Sequence, residues 1–334
     1  MSDWILVIGF GSIGRRHFNN LRQLGCPDVR LLRTTSGRAG AFPNPPDAKV
    51  YSRMQDALAD GPSVVVVANP TSMHVDAATQ AMAAGAHLLL EKPVSADAES
   101  ADRLLGDASS RAVVCSMAYC FRYHPLYSGL RDAVQAGRIG RPFHAHAHQA
   151  SFLPRWHPWE DYRTGYAARA DLGGGVVRTL DHDLDMLRWT LGRPTQVLAS
   201  AASLSGIGVT VEDTADMIFR FPDRLQAHVH VCFGRQDYSR AFWVVGEQGT
   251  LKLDWSAGTL VFADGKEAQT LVQLPGDFDL NTIYLEMARD ALAGMGEQPP
   301  RAAVPLADGV AAVRMALAAL ESSRRGTLVE LESD

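Results

Sequence analysis

Ile5-Leu6-Val7-Ile8-Gly9-Phe10-Gly11-Ser12-Ile13-Gly14 is a short apolar run that breaks into three glycines at fixed spacing. Arg15-Arg16-His17-Phe18-Asn19-Asn20-Leu21 follows, and Ile13, Phe18 and Leu21 can share one side of a helix. The order is strand, tight turn, helix. Gly9 permits the turn, and Gly11 lets backbone N–H groups approach a pyrophosphate at the helix N-terminus. Gly14 lets the helix pack closely on the strand. Ser12 and Ile13 lie between the last two glycines and belong to the same expected cofactor surface.

A second strand is expected at Asp28-Val29-Arg30-Leu31-Leu32-Arg33. An NAD site usually ends this strand in Asp or Glu, which accept hydrogen bonds from the ribose hydroxyls. The chain has Arg33-Thr34-Thr35-Ser36-Gly37-Arg38 instead. A guanidinium among hydroxyls suits a 2′-phosphate, so Arg33 and Thr34 favour NADP over NAD. The alternatives are that Arg33 or Arg38 stacks on adenine or faces solvent.

With 334 residues the chain has length for two ordinary cores, and 46% apolar residues, 21% charged residues and a net charge of −5 fit a globular protein. No basic excess points to nucleic acid. The apolar runs are too short to span a bilayer and no leader is evident, so a cytoplasmic protein without a membrane partner is expected. Cys26, Cys115, Cys120 and Cys232 lack Cys-x-x-Cys spacing, which predicts neither a disulfide scaffold nor a zinc cluster.

Val64-Val65-Val66-Val67-Ala68 reads as a central parallel strand. It ends in Asn69-Pro70-Thr71-Ser72-Met73-His74, where Thr71 or Ser72 can cap a helix starting near His74. This turn lies at the C-terminal edge of a parallel strand and should face the cofactor. Ala86–Leu90 forms the next strand and delivers Glu91-Lys92-Pro93 to its tip. There the Lys92 ammonium can orient a substrate hydroxyl and stabilise negative oxygen, while Pro93 fixes the exit geometry. Ala112–Ala118 is a further strand. The boundary falls near Tyr119–Arg122, giving a dinucleotide-binding domain over 1–120. A substrate and oligomerisation domain occupies 121–334, with its C-terminal helix packing back on the first.

In the second domain, His144, His146 and His148 alternate along Phe143–His148. They read as a polar strand face, with metal ligation the lesser alternative and no metal expected. Trp156-His157-Pro158-Trp159-Glu160-Asp161-Tyr162-Arg163 offers stacking surfaces and a guanidinium, suiting a polyhydroxylated or acidic substrate through Trp156, Tyr162 and Arg163. A structural loop or an oligomer contact is the other use. Gly173-Gly174-Gly175 leads to Thr179-Leu180-Asp181-His182-Asp183-Leu184-Asp185, in which Leu184 and Leu187 support a helix holding His182 near its start. Histidine suits hydroxyl deprotonation, and the neighbouring acids can orient its ring. Short strands from Val197 to Phe262 predict a large, mostly antiparallel sheet covered by helices on one side. A second subunit can cover the other, in a homodimer or homotetramer.

Taken together, Gly9–Gly14, Asn69-Pro70-Thr71, Glu91-Lys92-Pro93 and the glycine-rich approach to His182 resemble the glucose–fructose oxidoreductase/inositol dehydrogenase/MocA-like family. The resemblance spans nearly the whole chain and implies an N-terminal Rossmann domain followed by an α/β domain with a large sheet. It makes Lys92 a catalytic and substrate-binding residue and His182 the acid/base. It places the nicotinamide cofactor along Gly9–Gly14, with Asn69, Pro70, Thr71, His74, Glu91, Pro93 and Arg122 nearby. Many members carry an Asp shortly before the His. Here Thr179 holds that place, so Asp181 compensates or Thr179 itself positions the hydroxyl.

Trp156–Tyr166 and the run to Trp189 further resemble a branch linked to surface-sugar and flagellin modification, which implies a nucleotide sugar, amino sugar or sialic-acid-like substrate. The expected reaction moves a hydride between NAD(P) and a secondary hydroxyl of a sugar, nucleotide sugar or polyol. The alternatives are a lyase or hydrolase that recycles its cofactor through transient oxidation, and a nonenzymatic nucleotide-binding protein.

Overall fold

Residues 4–33 and 42–331 are described by a computed structural model. The opening run is β1 (Trp4–Ile8), buried at every position. It is followed by β2 (Asp28–Leu32), β3 (Val50–Tyr51), β4 (Val64–Val67), β5 (His87–Leu90) and β6 (Cys115–Met117), all parallel, in the spatial order β3-β2-β1-β4-β5-β6. Val64–Val67 and Leu88–Leu90 are buried throughout, as strands covered on both faces must be. The order reverses between β1 and β4, the switch point beside which such sheets bind ligands.

The connecting helices are α1 (Ser12–Gln23), α2 (Met54–Ala59), α3 (His74–Ala83) and α4 (Ala98–Ser109). Gly14, His17, Phe18 and Leu21 form the buried stripe of α1, while Ile13 is only half-buried. Neither Thr71 nor Ser72 caps α3: they form a 3₁₀ turn, Thr71–Met73, that runs directly into it. By contrast, the Asp97 carboxylate caps α4 by accepting from the Ser100 amide at 2.8 Å.

The second sheet is built from β7 (Pro142–Phe152), β8 (Gln196–Ala202), β9 (Thr214–Arg220), β10 (Gln226–Cys232), β11 (Gly234–Gly246), β12 (Gly249–Asp254), β13 (Thr259–Ala263), β14 (Ala268–Gln273) and β15 (Val329–Glu330). Their order is β14-β13-β12-β11-β7-β10-β9-β8-β15, antiparallel throughout except for the parallel pair β7–β10. The fold is therefore α/β, with a Rossmann domain followed by a domain built on a large, mostly antiparallel sheet. β7 and β11 extend beyond the expected strands because their ends carry polar residues that mask the period-two signal, as in Arg235–Asp237.

Helices α5 (Pro125–Gln135), α6 (Val176–Thr179) and α7 (His182–Leu191) pack on one face of this sheet. The opposite face bears a row in register across five strands: Leu198, Ile218, His228, His146 and Trp243. His146 stacks on Trp243 with ring centroids 4.0 Å apart, and the His228 and His146 Nδ1 atoms are 2.9 Å apart. Among the described residues no group of His, Cys, Asp or Glu is arranged to hold a metal ion. Nor is any helix there long and apolar enough to cross a membrane.

Contacts divide the chain into two units. The first contains the described residues to Cys120 together with Leu280–Val310, and the second contains Phe121–Asp279 with the described residues from Ala311 onward. The last helices are α8 (Asn281–Gly296) and α9 (Leu306–Arg325). Within the first unit α8 lies on α1, where Asn20 and Asn281 exchange amide hydrogen bonds at 3.2 and 2.9 Å. Val304 joins the end of β6, its carbonyl accepting from the Met117 amide at 2.9 Å and its amide donating to the Ser116 hydroxyl at 3.1 Å.

Candidate active site

The glycine turn is shaped by three different constraints. Gly9 has φ +90°, and a Cβ there would stand 2.7 Å from the Ala68 carbonyl oxygen. A Cβ on Gly14 would overlap the Gly9 carbonyl oxygen, so α1 approaches the strand end at backbone distance. Gly11 has ordinary backbone angles, and among the described residues nothing lies within 4 Å of the place a Cβ would take. It is the N-cap of α1, and among the described residues no side chain caps that helix. The first-turn N–H groups, including those of Ser12 and Ile13, thus head a helix beside open space, the arrangement that binds phosphate oxygens.

Asn69 follows β4 by two positions, and its side-chain oxygen is buried without a hydrogen-bond partner among the described residues. That acceptor, the uncapped helix and the open space at Gly11 fit a dinucleotide. Pro70 and the buried Thr71 continue the same turn. Arg33, one residue beyond β2, donates from Nη1 to the Phe42 carbonyl at 2.9 Å and to Asn44, and its guanidinium lies 5.3 Å from the Phe10 ring centroid. Thr34 and Arg38 lie outside the described residues.

His74 is buried, with Nδ1 2.7 Å from the Pro93 carbonyl oxygen and Nε2 2.9 Å from that of Asn69. The ring therefore ties the turn after β4 to the turn after β5. Burial lowers its pKa despite the two carbonyls, which work in the opposite direction. Glu91 sits at the tip of β5. Its Oε1 is 2.7 Å from His17 Nε2, and its Oε2 accepts from the Lys92 amide at 3.2 Å. Burial pushes the Glu91 carboxyl upward, but the His17 hydrogen bond and the nearby positive groups outweigh it and hold the pKa below the usual value. No sequence motif marks His17; its one signal is its spacing from Gly14 and Leu21 on the buried stripe. Lys92 is half-buried and joined to Pro93 by a cis peptide bond.

In the second unit, Gly175 at φ +112° turns the chain into α6, whose last residue is the buried Thr179. Asp181, also buried, is the N-cap of α7 and His182 is that helix's first residue. The His182 ring meets Phe121 edge-on, with centroids 4.6 Å apart. The neighbouring acids face guanidinium groups: Arg122 Nε donates to Asp185 at 3.0 Å, and Arg240 Nη2 donates to Asp183 at 2.9 Å. Arg122, expected beside the cofactor, thus has its guanidinium on the helix that carries His182.

The aromatic segment is held by local bonds. Trp156 Nε1 donates to Ser151 Oγ at 3.1 Å while its ring stands edge-on to Phe233. Tyr162 donates its hydroxyl to the Ile207 carbonyl at 2.5 Å, and Arg163 lies over the Tyr162 ring at 4.7 Å. Arg240, Phe121 and Tyr127 belong to no sequence motif. Arg240 keeps the period-two phase of the inward-facing Phe242 and Val244, and that phase was its signal.

Comparison with known proteins agrees with this architecture. Residues 4–119 match the oxidoreductase family with an NAD-binding Rossmann fold, and residues 127–252 match the GFO/IDH/MocA C-terminal domain. A 1,5-anhydro-D-fructose reductase of Ensifer adhaerens is 28% identical, the match covering 100% of this chain and 99% of that protein. Inositol 2-dehydrogenase 1 of Saccharopolyspora erythraea is 30% identical over 98% of this chain and 95% of its own length. Among solved structures, a levoglucosan dehydrogenase in complex with NADH superposes with a TM-score of 0.84 at 18% identity, covering 99% of each chain. With both halves matched in order and a relative of that identity aligned end to end, this chain belongs to the GFO/IDH/MocA family of NAD(P)-dependent oxidoreductases.

Proposed function

We propose that the chain is a dehydrogenase acting on a secondary hydroxyl of a sugar, nucleotide sugar or polyol. The observation that carries this reading is the uncapped head of α1 beside the open space at Gly11. Gly9, Gly11, Ser12, Ile13 and Gly14 would hold the pyrophosphate, with Asn69, Pro70, Thr71 and Glu91 along the rest of the dinucleotide. When bound, the nicotinamide supplies the hydride acceptor or donor. Lys92 donates a hydrogen bond to the reacting oxygen and steadies negative charge there. His182 accepts the hydroxyl proton at a ring nitrogen and returns it in the reverse direction. Thr179 and Asp181 hold that ring or the substrate hydroxyl in place.

The reductase and inositol dehydrogenase among the relatives support a polyhydroxylated substrate. Within that class the Trp156–Tyr166 segment favours a nucleotide sugar or amino sugar of surface-sugar or flagellin modification, with Trp156, Tyr162 and Arg163 as binding residues. Arg33 at the end of β2 supports NADP over NAD. The open face around Trp243 and Ile218 supports a homodimer or homotetramer.

The test is anaerobic absorbance at the reduced-nicotinamide band, with the full chain, NAD or NADP, and a panel of sugars, nucleotide sugars and inositols. Growth of the band with one panel member, lost in Lys92→Ala and His182→Ala, is the expected result. NADP should outperform NAD, and Arg33→Asp should reverse that order. Product formation without band growth would replace the reading with a recycled-cofactor lyase or hydrolase.

A further inference from the structure

Three acids, Asp181, Asp183 and Asp185, flank His182 in sequence at the start of α7, and the second of them enters a buried ion pair. Asp183 and Arg240 pair at 2.9 Å with both side chains at 0% exposure. Arg240 Nε also donates to the Tyr127 hydroxyl at 2.7 Å. The Arg240 guanidinium lies 4.0 Å from the centroid of the Phe121 ring, the same ring that His182 meets at 4.6 Å. Trp255 closes on Phe121 edge-on at 5.6 Å, and Tyr127 leans on it at 5.8 Å.

A buried ion pair contributes little net stability, because desolvation of two charges offsets their attraction. What it does supply is a fixed geometry, since neither partner can move without exposing an uncompensated charge to an apolar interior. Here the fixed objects are the residue after His182 and the ring against which His182 rests. We infer that Arg240 is a positioning residue for His182, holding the first turn of α7 through Asp183 and the plane of the imidazole through Phe121. The inference rests on the proposed acid/base role of His182 for its meaning in catalysis.

Arg240 also acts on charge. With the guanidinium in place the Asp183 carboxylate is neutralised. Without it, a bare carboxylate one residue from His182 favours the imidazolium. Further titratable groups of this neighbourhood include Asp181 at the N-cap of α7, Asp185 on α7, Arg122 and His124 before α5, Tyr127 on α5, and Tyr238 on β11.

The experiment reads the ring of His182 directly, by NMR titration of the full chain with ¹⁵N-labelled histidine and the signals assigned through His182→Gln. Arg240→Met should raise the His182 titration midpoint by about one pH unit, and Arg240→Met combined with Asp183→Asn should return it. Phe121→Leu leaves the ion pair intact, so it should change the His182 ring shifts while moving the midpoint less. A folded Arg240→Met protein with wild-type His182 shifts and midpoint would overturn the inference. If that variant does not fold, unchanged ring shifts in Phe121→Leu would overturn it equally. No substrate is used, so failure of this inference is separate from failure of the dehydrogenase reading, which the absorbance experiment decides.

Discussion

Glu91 and His17, 74 residues apart in sequence, meet at 2.7 Å with both side chains buried. The pair fastens the residue before Lys92 to the helix that heads the glycine turn. Removing one member strands the other in a site it cannot leave. His17→Ala should therefore lower unfolding stability by roughly 3–5 kcal/mol, as for other broken buried pairs. His17→Gln, which can still donate, should recover a good part of the loss. Denaturant melts of both variants decide the matter, and equal losses would show that the bond itself contributes nothing.

The pH dependence of the same pair has a defined sign. The folded pKa of Glu91 is depressed, so its contribution is present above the unfolded carboxylate value and is lost as pH falls through the folded one. Glu91→Gln should flatten the acid limb of stability against pH in that range. Parallel acid limbs in the two proteins would contradict this.

Gly11 and Gly14 should respond oppositely to alanine. Gly14→Ala drives a methyl into the Gly9 carbonyl and should destabilise the first unit by several kcal/mol, on the order of 3. Gly11→Ala meets no atom of the described residues, so the melting temperature should change little. The methyl enters the space assigned to the pyrophosphate, and NAD(P) affinity should fall about tenfold or more, near 1.4 kcal/mol. Fluorescence titration with each nucleotide gives the answer, and an unaltered affinity in Gly11→Ala would remove that space from the cofactor site.

His124 caps α5 by accepting from the Leu126 amide at 3.3 Å, and it stacks on Trp255 at 4.6 Å. Burial, aided by the Arg240 guanidinium, pulls its pKa down to about 4. The unfolded chain takes up this proton near pH 6.5, before the folded chain does, so stability falls as pH drops from about 6.5 to about 4. The slope from this one group is at most about 1.4 kcal/mol per pH unit. His124→Asn keeps an acceptor at the cap and should remove that slope. Superimposable stability profiles over the interval would assign the acid sensitivity elsewhere.

The features readable in the sequence were those that repeat or strain the backbone. Gly9, Gly11 and Gly14 sit where turn, open space and close packing require them, and Val64–Val67 is the buried strand its composition demanded. His182 stands at the start of a helix because the apolar spacing from Leu184 to Leu187 begins there. What escaped was tertiary pairing. No spacing rule links His17 to Glu91, or Arg240 to Asp183, since each bond joins elements brought together only by the sheet. Arg122, which the family resemblance sets beside the cofactor, bonds the Asp185 carboxylate through its guanidinium, a pairing that no spacing rule announces either. The 3₁₀ turn at Thr71–Met73 was likewise hidden, because Pro70, Thr71 and Ser72 are equally good signals for a capped helix.

The discontinuity of the first unit also bears on the order in which the protein is made. The strands to β6 leave the ribosome first, yet the partners of Asn20, Ser116 and Met117 are Asn281 and Val304, synthesised only after β7 to β14 of the large sheet. Val94 and Met117 also wait for Gly309, whose missing side chain lets them close on α9's first turn. The nucleotide-binding half begins folding early and is finished late, so a ribosome stalled within residues 121–279 carries a nascent Rossmann sheet still lacking the segment that completes it.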